Sequence, residues 1–270
     1  MLLIKQTLLI AILSLCCGVT SGQTATNEEA VEDPIYRAFL NCTVLISTKV
    51  TPKEYKQGTG FLVERRIANP RINVYSTKKY NLAKIFLVTV KHVLPREGEK
   101  QSITIRVNTQ FDNRPEVREI RVPIIGDNGR YLPSVRVNDK NFDVVAVDIT
   151  REVTGNNIEG VWLPYDIFIT KDKLIAAGVT VGDEVFLLGY PAAIFDPRNV
   201  WPILRKGIIS TVPSEGYAFN DGLKKRFGLP DQIDGFLVDA NVFPGSSGGP
   251  VASSILCKRS SLFLVGCFFS

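Results

Sequence analysis

Along residues 102–107, Ile103, Ile105 and Val107 alternate with polar neighbours, the period-two pattern of a strand with one buried face. Comparable runs rich in β-branched residues recur at 43–47, 59–63, 85–90, 117–122 and 143–149. A second group follows at 166–170, 184–188, 207–212, 235–240, 250–255 and 262–269, and clusters of Gly, Pro, Asn and Asp separate the runs. Helical periodicity is nearly absent, apart from one turn expected at 171–177. Many short strands with frequent turn signals predict an all-β sandwich or barrel. Residues 151–164, with Gly155-Asn156-Asn157 and Gly160, read as a linker between the two groups. The longest poorly patterned stretch is 213–234.

At 270 residues and 45% apolar content, the chain can bury one large core or two small ones and is not of a disordered composition. The N-terminus differs in kind. Lys5 precedes an apolar stretch over 7–19 and then Thr20-Ser21-Gly22, which reads as a secretory signal peptide over 1–22 with cleavage after Gly22. The stretch is short for a membrane anchor, and Leu15 and Cys16 are poor neighbours for lipoprotein processing at Cys16 or Cys17. An exported, periplasmic or secreted protein is therefore expected, touching the membrane only through that segment.

Removing Lys5 with the signal lowers the net charge from +5 to +4, and no basic block of the nucleic-acid-binding kind is present. Cys42, Cys257 and Cys267 would remain, enough for at most one intrachain bridge; Cys257 and Cys267 could pair across a short turn or stay as two thiols. One histidine and three scattered cysteines give no zinc-ligand spacing, so neither metal nor organic cofactor is expected.

His92 is the only histidine, so any imidazole chemistry must use it. It ends the 85–90 run and lies upstream of Asp143 and of Gly245-Ser246-Ser247-Gly248-Gly249-Pro250. A serine hydroxyl attacks only if a base takes its proton, and a carboxylate behind the base must hold its tautomer and steady the imidazolium. His92, Asp143 and Ser247 can supply those roles, with Asp148 the second choice for the acid because it falls out of phase with Val145 and Val147. The Gly-x-Ser-x-Gly pattern also fits the nucleophile elbow of α/β-hydrolases, but that order needs a histidine after the serine and none follows Ser247. The order Asp, His, Ser leaves only Asp33, in a charged segment near the N-terminus. The order His, Asp, Ser leaves good candidates for all three.

Four segments in that order resemble the trypsin-like, chymotrypsin-fold serine peptidases, in particular their bacterial exported branch. They are Gln57-Gly58-Thr59-Gly60-Phe61-Leu62-Val63, Val88-Thr89-Val90-Lys91-His92-Val93-Leu94, Asn141-Phe142-Asp143-Val144-Val145-Ala146-Val147 and Pro244-Gly245-Ser246-Ser247-Gly248-Gly249-Pro250-Val251. Val181-Gly182-Asp183-Glu184-Val185 with Gly189-Tyr190-Pro191 is similar to the start of the second barrel in bacterial members. The resemblance spans roughly residues 40–270 and implies two antiparallel β-barrels of six-stranded type. These would be a first at 41–150 with His92 and Asp143, and a second at 165–270 with Ser247, after an N-terminal extension at 23–40. It also implies an oxyanion hole from the N–H groups of Gly245 and Ser247, a specificity pocket with Asn241 at its floor and Ser270 in its wall, and a protein or peptide substrate.

Three departures temper the match. The sequence stops at Ser270, so either it is a piece of a longer chain or the second barrel is truncated and its pocket open on one side. Ser246 stands where the family usually has Asp or Asn, and Lys91 sits beside His92, where it is expected to point to solvent. The leading expectation is a serine endopeptidase working through an acyl-enzyme. Its rivals are a non-catalytic peptide-binding module on the same fold and an esterase using the same triad.

Overall fold

The computed structural model describes residues 34–51, 53–67, 82–98, 100–111, 114–137, 143–156, 158, 160–168, 170–196, 198–227, 231–233, 235–253 and 264–267. Residues 1–22, read above as a signal peptide, Cys257 and Ser270 lie outside these residues. The first group of strands is β1 (Thr43–Lys49), β2 (Tyr55–Ile67), β3 (Leu82–Val90), β4 (Gln101–Phe111), β5 (Arg114–Ile125), β6 (Val135–Val137), β7 (Val144–Asp148) and β8 (Leu163–Pro164). The second is β9 (Glu184–Gly189), β10 (Ile203–Ile209), β11 (Tyr217–Ala218), β12 (Gln232–Ile233), β13 (Val238–Ala240), β14 (Pro250–Ser253) and β15 (Leu264–Cys267). The all-β expectation holds.

The first sheet runs β5-β4-β1-β2-β3-β7-β6, with β8 added in parallel to β2. It curls, because the turn after β5 folds back through an Ile125–Tyr131 bridge and a bond from Leu132 N to Ile124 O (2.9 Å), bringing the β5 end towards β6. Alternation decides which side faces in. Ile103, Ile105 and Val107 of β4, Ile120, Val122 and Ile124 of β5, and Val145 and Val147 of β7 are buried, while Thr104, Arg106, Arg121, Pro123, Ala146 and Asp148 in the other phase are not. Each fully buried Ile or Leu contributes roughly 1.5–3 kcal/mol by leaving water, so a one-residue slip of register would forfeit a whole face at once.

The second sheet is β13-β10-β9-β14-β15, all antiparallel. Between the sheets lies a shared apolar seam: Phe61 and Val63 of β2 pack with Leu163, with Leu188 of β9 and with Ala252 of β14. A second joint is Tyr190, whose hydroxyl donates to Val200 O (2.8 Å) and also lies 3.1 Å from Thr43 O, so a residue following β9 is tied to the first strand of the other sheet.

Among the described residues there are four α-helices, of which the pattern shows one. The helix expected at 171–177 is α3 (Lys171–Ala176), capped by the Thr170 hydroxyl, which accepts from Lys173 N (3.4 Å). The other three carry no long apolar stripe. α1 (Pro34–Cys42) buries Phe39 and Cys42 at the seam; α2 (Thr150–Gly155) buries only Val153. α4 (Asp221–Phe227) stands within 213–234 beside the β11–β12 ladder, and Lys224 pairs with Asp221 and Asp231 (2.7 Å each). The stretch read as a linker, 151–164, holds most of α2 and ends in β8, which joins the first sheet.

One strand expectation is corrected: 166–170 does not form a strand. Tyr165–Ile167 is a 3₁₀ turn, and the apolar residues that suggested a ladder instead face the seam, with the Phe168 ring 6.1 Å from that of Phe61.

Candidate active site

β3 ends at Val90, and the chain turns at once into a 3₁₀ segment, Lys91–Val93, that swings His92 out of the ladder. Val93 is driven inward, 2% exposed, which leaves His92 on the outer side of the turn. Asp143 immediately precedes β7, the neighbour of β3 in the sheet, and Val90 is paired with Val144. The two residues therefore meet at one end of adjacent strands.

Three bonds lock them. Lys91 N donates to Asp143 O (2.8 Å), His92 N donates to Asp143 Oδ1 (3.1 Å), and His92 Nδ1 is hydrogen-bonded to Asp143 Oδ2. The carboxylate thus grips the backbone and the ring of the same residue, which fixes the imidazole plane and directs Nε2 away from the acid. Lys56 Nζ adds a bond to His92 O. The side chains remain 41% and 35% exposed, so this pair is partly solvated. Lys91 is exposed, as expected from its place in the turn.

Asp148 is engaged elsewhere. Its carboxylate accepts from Lys84 (2.9 Å) and from the Thr150 hydroxyl (2.6 Å) and N–H (3.2 Å). Partial burial pushes its pKa up, but the Thr150 and Lys84 contacts outweigh that and hold it below the ordinary carboxylate value.

The serine comes from the turn before β14. Ser247 is 4% exposed and Ser246 is 6% exposed, although the turn is a loop. Gly248 explains how it fits. Its φ is +89°, and a Cβ there would fall 2.2 Å from Thr59 O and 2.4 Å from Thr89 Oγ1, with Val90 N at 3.2 Å. Only glycine fits that conformation and that gap. The residue after Ser247 is therefore pressed against the end of β3, two residues ahead of His92.

Every carbonyl from Phe243 to Ser247 has a donor. Ser246 N bonds Phe243 O (3.2 Å), Ala192 N bonds Pro244 O (2.6 Å), and Thr59 Oγ1 bonds Gly245 O (2.7 Å). Gly249 N bonds Ser246 O (3.1 Å), and Thr59 N bonds Ser247 O (3.0 Å). In a planar trans peptide the N–H points opposite to the carbonyl of the preceding residue. Anchoring Pro244 O and Ser246 O therefore aims the N–H groups of Gly245 and Ser247. Among the described residues, no partner takes the Gly245 N–H. Gly245 itself has φ +95°, which allows the peptide planes on its two sides to face as they do.

Two residues that the sequence reading did not single out for this task organise the turn. Thr59, fully buried in β2, donates from Oγ1 to Gly245 O, accepts there from Tyr190 N (3.0 Å), donates from N to Ser247 O and accepts at O from Thr89 Oγ1 (2.6 Å). It joins the first sheet, the residue after β9 and the serine turn at one point. Its signal in the sequence is a threonine enclosed by Gly58 and Gly60. Ala192 is the second, held in the left-handed region at φ 47° and ψ 31°. That conformation costs a non-glycine residue about 1–3 kcal/mol and persists here beside the bond from Ala192 N to Pro244 O.

Of the residues expected in a substrate pocket, Asn241 is exposed and its carbonyl accepts from Arg205 Nη1 (3.1 Å), while Ser270 lies outside the described residues. Cys42 is a free, fully buried thiol, and burial pushes its pKa far up, so it is inert. Among the described residues, no group of three or more His, Cys, Asp or Glu is gathered as a metal site, and no helix is long and apolar enough to cross a membrane.

No family model and no curated protein matches the chain. Among solved structures it is similar to the active form of the Rv3671c protease of M. tuberculosis, at 18% identity over 96% of this chain and 84% of that one, with a TM-score of 0.46. It is also similar to the inactive form of that protease, at 19% identity over 87% of this chain and 81% of that one, with a TM-score of 0.42. A third similarity is to catalytically active tobacco etch virus protease complexed with product, at 10% identity over 87% of this chain and 69% of that one, with a TM-score of 0.44.

Proposed function

We propose that this chain is a serine endopeptidase in which Ser247 is the nucleophile, His92 the general base and acid, and Asp143 the residue that orients and charges the imidazole. The observation that carries the reading is the conjunction of an imidazole locked by one carboxylate with a serine turn whose carbonyls all have donors, three of them from the scaffold. An isolated His–Asp pair is an ordinary feature. A turn that spends five donors to aim its amides is not needed for folding alone.

In the proposed step, Nε2 of His92 removes the Ser247 proton as Oγ attacks the peptide carbonyl carbon, and the carbonyl π electrons move onto oxygen. The N–H groups of Gly245 and Ser247 receive that oxyanion, and Asp143 balances the imidazolium. His92 then gives its proton to the departing amine, the C–N bond breaks and an acyl-Ser247 ester remains. Water repeats the sequence on the ester and frees the acid. Protein or peptide chains are the substrate class, and the apolar N-terminal segment supports action as an exported protein cut after Gly22.

The test is labelling of the purified protein by a fluorophosphonate probe, followed by casein or a peptide library. Wild type takes the label at Ser247 and cleaves peptide bonds; Ser247→Ala and His92→Ala do neither. A folded wild-type protein that takes no label overturns the reading in favour of peptide binding without turnover, and label with ester but no peptide cleavage overturns the endopeptidase assignment.

A further inference from the structure

Arg205 stands on β10 opposite Leu187 of β9, in the same phase as the buried Gly207 and Ile209. Its neighbours Leu204 and Lys206 face solvent, and Lys206 pairs with Glu184. The Arg205 side chain instead reaches the turn that leads to Ser247. Nη1 donates to Asn241 O and to Ser246 Oγ, both at 3.1 Å, and the guanidinium carbon lies 5.2 Å from the centroid of the Phe243 ring. One cation therefore touches the turn at three places, 241, 243 and 246.

Among the described residues, little free space surrounds the Arg205 guanidinium. The recess it shares with Leu187, Leu188, Gly189, Ile203, Val242 and Ser246 offers about 10 Å³, at most one water and no room for a substrate side chain. Partial burial draws the guanidinium's pKa down from its ordinary value, yet it stays charged at any working pH. Both bonds come from Nη1 while the guanidinium carbon lies over a ring; a lysine ammonium can replace the donors but not the planar group beside Phe243.

Building on the peptidase reading, we propose that Arg205 is a positioning residue for Ser247: it holds the two ends of the 241–246 turn at fixed separation and so keeps the peptide planes carrying the Gly245 and Ser247 N–H groups in register. The ties at Pro244, Gly245 and Ser246 aim those planes, but they all lie downstream of Phe243. Arg205 supplies the upstream anchor at Asn241 and braces the side chain next to the nucleophile. Because Phe243 is exposed and the Asn241 carbonyl can be solvated by water, losing the clamp costs the fold little. Losing register costs rate, since a misplacement of about 1 Å lowers turnover on the order of 10²-fold.

The experiment compares wild type, Arg205→Ala, Arg205→Lys, Ser246→Ala and the Arg205→Ala/Ser246→Ala double variant. Fluorophosphonate kinetics are split into the reversible binding constant and the maximal labelling rate, and hydrogen exchange is followed over 241–249 and over 184–189. Arg205→Ala is expected to lower the maximal rate about 10- to 100-fold with the binding constant unchanged, and Arg205→Lys to recover part of it. Exchange rises in 241–249 and not in 184–189. The double variant is less impaired than two independent losses would make it. The pH midpoint of labelling stays in place, because the His92–Asp143 pair is untouched. Arg205→Ala labelled at the wild-type rate, or with unchanged exchange over 241–249, overturns the clamp and leaves the peptidase reading standing. An unlabelled wild type overturns both.

Discussion

The two halves of the candidate site are held in opposite ways. His92 and Asp143 come from adjacent strands of one sheet, joined by two bonds between themselves and a third from Lys91 N to Asp143 O, and left about one-third to two-fifths exposed. The Ser247 turn is buried, and its anchors come from far along the chain: Thr59 in the first sheet, Ala192 after β9 and Arg205 on β10. The first half is a local device on a finished scaffold. The second is tied into the joint between sheets through Thr59 and Gly248, so there, Arg205 apart, chemistry and folding are coupled, whereas in the first they are separable.

The sharpest separation is expected at Asp143. Asp143→Asn removes the charge that steadies the imidazolium while the half-exposed site can rehydrate, so turnover falls on the order of 10⁴-fold. Its thermal midpoint stays within a few degrees of wild type, and a large drop in calorimetry would show that this half is not local.

Gly248→Ala is expected to do the reverse. It forces a side chain into the Thr59 and Thr89 contacts at a positive φ, and it destabilises by on the order of 3 kcal/mol in denaturant titration. Unchanged stability would mean that the turn is not pressed into the seam.

Thr59→Val tests coupling more gently. The shape is kept, but Gly245 O loses its donor and Tyr190 N its acceptor, which costs about 1–3 kcal/mol and slows fluorophosphonate labelling together. Stability lost without any change in labelling would uncouple the two halves after all.

The smallest effect belongs to Asp148, outside the site. Its folded pKa lies below the ordinary value, so the ionised form favours the folded state, and that contribution is present above the ordinary carboxylate range near pH 4. It disappears as pH falls through the lower folded value. Asp148→Asn should therefore be less stable than wild type at neutral pH by under about 1 kcal/mol, given the exposure of Lys84, and equal to it near pH 2. A difference that persists in acid would show that packing rather than charge is responsible.

Much of this was legible in the chain. Alternation marked β4, because a strand with one wet face must write its period into the sequence, while β-branched content located much of β1, β5 and β7. The phase of Asp148 against Val145 and Val147 favoured Asp143, and the structure puts Asp143, not Asp148, against His92. Three of the four α-helices among the described residues escaped: α1 is amphipathic but only nine residues long, α2 buries only Val153, and α4 carries the charge pairs of Lys224. Apolar residues at 166–170 mimicked a strand because they serve the seam.

What the linear order determined by itself was which groups could do the chemistry and which faces had to be dry, because side-chain type and local period are properties of a segment. Tertiary structure alone decided how those groups are aimed. The direction of the Gly245 and Ser247 amides rests on Thr59 and Ala192, more than fifty residues away in each case, and no local pattern encodes a hydrogen bond whose partner arrives only when two sheets meet.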